Sequence, residues 1–81
     1  MDLLDKLETH FENLRKRERF LIDQVATLQR MILAARNKGE HTQAEDFAAR
    51  LEAYKAELQP LTPLLDQMHT DLIIRRRHKN P

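Results

Sequence analysis

The chain has 81 residues, which bounds it to a single domain, 1–81. Its 14 Lys+Arg against 13 Asp+Glu leave a formal charge of +1, which argues against the basic excess of a generic nucleic-acid binder and suits a solvated helical surface. With no cysteine there is no disulfide or thiolate metal site, and a single glycine leaves no phosphate-cradling or dinucleotide-binding loop.

The first predicted element is a helix over about 2–37, a stretch free of proline and glycine. It carries an apolar 3-4 repeat through Leu4, Leu7, Phe11, Leu14, Glu18, Leu21, Val25, Leu28, Ile32 and Ala35. That spacing lays one stripe along a helix, and such a stripe must be covered. Asn37, Lys38 and Gly39 end the element, with Gly39 suited to a left-handed C-terminal cap. A loop follows over 38–42. Thr42 and Glu45 then stand at capping-box spacing, and Asp46 adds negative charge at a helix start.

The second predicted helix spans about 43–77. Its stripe runs through Ala44, Phe47, Leu51, Tyr54, Leu58, Leu61, Leu65, Met68, Leu72 and Arg75. Paired from the loop outward, Ala35 with Ala44 through Leu4 with Arg75, the residue numbers of every pair add to 79. Only Glu18 and Arg75 break the apolar pattern, in a chain that is 41% hydrophobic. The fold class is therefore all-α, an antiparallel two-helix hairpin of coiled-coil type. Pro60 and Pro63 each remove a backbone donor inside the second helix, yet the repeat keeps phase across them, so the reading is one helix kinked there. The rival is a break, with Thr62 as N-cap and Pro63 at the first helical position. Glu18 pairs with Leu61 beside the prolines. A kink there lets Glu18 reach water and Arg15, Arg17 and Arg19 donate to the carbonyls of Ala56 and Gln59.

Catalysis finds little support. The chain lacks serine as well as cysteine, the commonest nucleophiles. Its four histidines, His10, His41, His69 and His78, are scattered. Glu8 with His69 and His10 with Asp71 fall on the flanks of the seam, where ordinary surface ion pairs are the commoner outcome. A hairpin also offers no deep pocket. The expectation is a non-enzyme with no cofactor, no metal and no small-molecule substrate. No apolar run approaches the roughly 18 residues of a membrane span. The start, Met1 to Asp5, lacks the features of a signal peptide. The chain is expected in the cytoplasm, or exported without a cleaved signal.

Apolar residues outside the seam point to association. Leu3, Phe20, Ile22, Met31, Leu33, Leu64, Ile73 and Ile74 are left over. Ile22, Ala26 and Leu33 form a second stripe on the first helix, while Leu3, Ile73 and Ile74 gather at the open end. A two-helix hairpin buries one stripe per helix and is marginal in water, so these six residues are the expected protein interface. The outcome is a homodimeric four-helix bundle or docking onto another protein's helix. Two basic clusters, Arg15, Lys16 and Arg17, then Arg75, Arg76 and Arg77 followed by His78 and Lys79, offer contacts to phosphate or to an acidic partner. At the C-terminus these cations also suit the helix dipole.

The expected function is a small protein–protein interaction module: an adaptor, a chaperone-like protein or a regulatory subunit. The alternative is a dimeric nucleic-acid-binding or replication-regulating hairpin that uses the same Arg/Lys clusters. No family motif is present. In size and shape the chain is similar to small helical-hairpin chaperones of bacterial secretion systems and to small plasmid-borne RNA-binding hairpins, a likeness of fold that assigns no residue a role.

Overall fold

The computed structural model describes residues 2–79, apart from the side chain of Lys79; Met1, Asn80 and Pro81 of the 1–81 domain lie outside the described residues. Two helices make up the fold, α1 over Leu3–Asn37 and α2 over His41–Lys79. They lie against each other in a rod of 63 × 20 × 14 Å. Its length is close to that of 39 residues at 1.5 Å each, roughly 58 Å. Asp2 caps α1, its Oδ1 accepting from the Asp5 amide at 2.9 Å.

The turn is shorter than the sequence suggests. The Gly39 amide donates to the Arg36 carbonyl at 3.1 Å and the Glu40 amide to the Ala35 carbonyl at 2.8 Å. This pair of bonds is a Schellman motif, and Gly39 takes the left-handed conformation it needs, with φ at 77°. The carbonyl of Glu40 then accepts from the Ala44 amide at 3.0 Å. One residue thus closes α1 through its N–H and opens α2 through its C=O. That takes the N-cap position away from Thr42, which sits inside the first turn of α2, so the expected capping box does not form and α2 begins at His41 rather than at about 43.

All nine buried hydrophobic residues among those described belong to the mirrored stripes: Leu21, Leu28, Ile32, Ala35, Ala44, Leu51, Leu61, Leu65 and Leu72. Leu21, fully buried, joins Leu61 and Leu65 in one cluster, with Phe11, Leu14, Tyr54 and Leu58 packed around it. Leu28, Ile32 and Leu51 form the second cluster nearer the turn. Each fully buried leucine contributes about 1.5–3 kcal/mol, so this seam holds the hairpin together. In α1 the buried residues all lie between Leu21 and Ala35, whereas Leu4, Leu7, Phe11 and Leu14 are only half-buried.

Pro60 and Pro63 lie inside α2, and the helix runs unbroken across them, so the alternative break at Thr62 does not occur. Both prolines are exposed. Glu18 is half-buried and accepts a hydrogen bond from the Thr62 hydroxyl at 3.2 Å, which accommodates the one charge within the α1 stripe. Arg17 does not serve the carbonyls beside the prolines; its guanidinium goes to Glu57 instead. Among the described residues, no helix is long and apolar enough to cross a membrane.

Candidate interaction surface

Packing two helices along one seam leaves two flanks. A side chain seven residues along a helix returns to the same side, about 20° off, so the flank of each residue follows from the printed contacts and helical spacing. One flank is marked by Arg17 and Glu57 and the other by Arg15 and His69.

On the first flank Arg17 grips Glu57 with two parallel bonds, Nε to Oε1 at 3.1 Å and Nη2 to Oε2 at 2.8 Å. The same guanidinium lies over the Phe20 ring, 5.0 Å from its centre. Phe20 meets Tyr54 edge-on at 6.1 Å. The bond to Glu57 holds the Arg17 pKa above its ordinary value, against a smaller opposing effect of desolvation. Beside this arrangement is a depression of about 180 Å³ lined by Leu14, Arg17, Glu57, Pro60, Leu61 and Leu64. Phe20 is 42% exposed and Leu64 49%. Helical spacing places exposed Leu3, Met31 and Ile74 on this flank as well. The outward side of α2 continues it without charge through Ala49, Ala53, Ala56, Pro63, Gln67 and Thr70, all exposed.

The second flank is polar at its centre. Phe11 stacks with His69 at 5.9 Å, and the Arg15 guanidinium lies 5.5 Å from the centre of the Phe11 ring. Arg15, Glu18, Asp66 and His69 share a depression there with Phe11 and Leu65. Near the open end the Arg76 Nε donates to the Glu8 Oε1 at 3.0 Å. Glu8 therefore pairs with Arg76 and His69 with an aromatic ring, so the Glu8–His69 couple suggested by the sequence does not form. Ile22 and Leu33 are exposed on this flank, and Ala26 between them is half-buried.

The six apolar residues singled out in the sequence thus fall on different surfaces. Leu3 and Ile74 share the Arg17 flank, while Ile22, Ala26 and Leu33 lie on the opposite one. Ile73, one residue and about 100° from Ile74, turns towards the second flank and is half-buried. Phe20 and Leu64, apolar residues outside both the seam and the expected interface, stand at the middle of the Arg17 flank. Their positions in the 3-4 repeat, beside Arg17 and Glu57 in facing rows, carry the signal that locates them.

The basic residues do not converge either. Arg15, Lys16 and Arg17 fan out at about 100° per residue, as do Arg75, Arg76 and Arg77. Arg17 and Arg76 are held by Glu57 and Glu8. Arg75 borders a small cleft with Leu7, Met68, Asp71 and Leu72. The two clusters stand roughly 20 Å apart along the rod, from about 13 residues of register at 1.5 Å each. Among the described residues, no three His, Asp or Glu side chains come together in a group able to hold a metal ion. Compared with known proteins, the chain matches no family model, no curated protein and no solved structure.

Proposed function

We propose that the chain is a small protein–protein interaction module of the cytoplasm, adaptor-like, chaperone-like or regulatory, that works by completing a helical bundle. The observation that carries this reading is the Arg17 flank: exposed Phe20 and Leu64 beside an apolar depression, extended by Leu3, Met31 and Ile74. Single exposed leucines are ordinary on a protein surface, but a row of them beside a charge-free helix back is the pattern of an association site. A second hairpin, or two helices of another protein, laid on this flank makes a four-helix bundle. The nucleic-acid alternative draws less support, because two of its six cations already face carboxylates and the others point in several directions.

The test combines light scattering on the purified chain with affinity capture from its native cells. The reading expects either a dimer or larger species, or a stoichiometric protein partner released by mutation of the Arg17 flank. A monodisperse monomer that retains no partner contradicts it. Nucleic-acid binding that weakens steeply with salt would favour the alternative.

A further inference from the structure

The chain exposes 6254 Å² of surface. A globular monomer of 9.6 kDa exposes about 5,100 Å², so the rod carries roughly 1,200 Å² in excess. A standard interface covers about 800 Å² on each partner. One further hairpin against one flank therefore suffices to bring the chain to an ordinary surface for its mass.

The charges on the flank say which partner fits. Spacing places Lys6, Arg17 and Arg50 there against Asp46, Glu57 and Asp71, three of each sign, with Arg75 at the edge beside Asp71, so the face carries both signs in near balance. It suits neither phosphate nor a strongly charged protein. The order of the charges is also significant. Arg50, Glu57, Leu64 and Asp71 form one row on α2, spaced by sevens. Arg50 and Asp71 are equidistant from the midpoint between Pro60 and Leu61, about 31 Å apart along the helix. Neither has an ion-pair partner among the described residues.

We propose that the Arg17 flank binds a second copy of this chain about a two-fold axis crossing the rod at Pro60, with α2 antiparallel to the partner's α2. This rests on the interaction-module reading above and specifies its partner. The axis sets Arg50 against the partner's Asp71 at two symmetric points, and between them Glu57, held by Arg17, against the partner's Leu64. The α1 register then follows with no further choice. Arg17 faces the partner's Phe20, Met31 the alkyl stem of the partner's Lys6, and Leu3 the partner's Ala34. Each copy thus offers a cation to a ring and an apolar residue to an apolar or aliphatic surface, as an isologous interface requires. Exposed alanines on α2, Ala53 among them, allow close approach of the two helices.

The test is sedimentation equilibrium on the purified chain and on Arg50→Asp, Asp71→Arg and the double reversal. Helix content by circular dichroism checks that each exposed substitution leaves the fold intact. The wild type is expected to be a dimer. Each single reversal sets like charges opposite each other at both points and should weaken it by about tenfold or more, with the double reversal returning to within about threefold of wild type. A wild type that stays monomeric at about 100 µM overturns the proposal and leaves docking to another protein as the form of the module. A dimer indifferent to the reversals, or single losses that the double does not restore, overturns the face and its register while leaving self-association standing.

Discussion

The two flanks of the hairpin are made from the same helices and hang on the same seam, yet they treat their exposed apolar residues differently. On the Arg15 flank the centre is polar, with His69 over Phe11 and Glu18 held by Thr62, and the exposed Ile22 and Leu33 stand three turns of helix apart. On the Arg17 flank the centre is apolar: Phe20 lies under the guanidinium of an arginine pinned by Glu57, and Pro60 and Leu64 line the depression beside that arginine. An exposed hydrophobic residue means little alone; its neighbours decide whether water or another protein covers it. The Arg17–Glu57 pair is part of that difference. As an exposed ion pair it adds little to stability. Held in two parallel bonds, it keeps a flat guanidinium face beside Phe20 in a fixed place.

Pro60 gives the largest effect by which the flanks can be told apart. Pro60→Ala restores the donor to the Ala56 carbonyl and removes a helix-interior proline, which should stabilise the hairpin by as much as about 3 kcal/mol. Because the ring also forms part of the apolar middle, the same variant should weaken association. Thermal melts and sedimentation together check this, and stabilisation with unchanged association would remove Pro60 from the contact.

Next come paired substitutions on each flank. Phe20→Lys with Leu64→Lys should raise the dissociation constant by about 100-fold, near 2.7 kcal/mol, because four cations would enter a desolvated centre. Ile22→Lys with Leu33→Lys should change it by less than about threefold. Equal effects from the two pairs would erase the distinction between the flanks, and the reverse order would move the interface to the surface first suggested by the sequence. Gly39→Ala is the control common to both flanks. An added methyl group meets nothing within 4 Å, but φ is +77°, so the cost should be about 1–2 kcal/mol of backbone strain with no change in association once the chain is folded. A chemical denaturation series reads it.

The seam was legible in the sequence because burial along it depends on one spacing rule applied twice. Leu21, Leu28 and Leu51 follow from that rule, and Gly39, the sole glycine, falls at the point where the mirror must turn. The start of α2 lies about two residues before the point that Thr42 and Glu45 suggest. Thr42 and Glu45 have the right spacing for a capping box, but the Schellman bonds of Glu40 and Gly39 set the chain on its helical path earlier, and local motif spacing does not encode that competition. The flanks were harder still. Ile73 and Ile74 look like one apolar pair in sequence, yet neighbouring helix residues face different ways. Phe20 and Leu64 stand 44 positions apart and come to one flank only through the register of the seam. His69 and Arg76 stand seven apart in the row facing Glu8, two and five residues to either side of its level, and the longer, always-charged arginine reaches it.

The central claim is that this hairpin is half of a bundle whose other half is a second copy. The most direct measurement is its thermal midpoint at about 1 µM and again at about 100 µM. Coupled folding and association require the midpoint to rise by several degrees with concentration, and the rise should vanish in the Phe20→Lys, Leu64→Lys variant. A wild-type midpoint that is the same at both concentrations would mean that the hairpin stands alone, and the account of its Arg17 flank as a self-matching surface would be wrong.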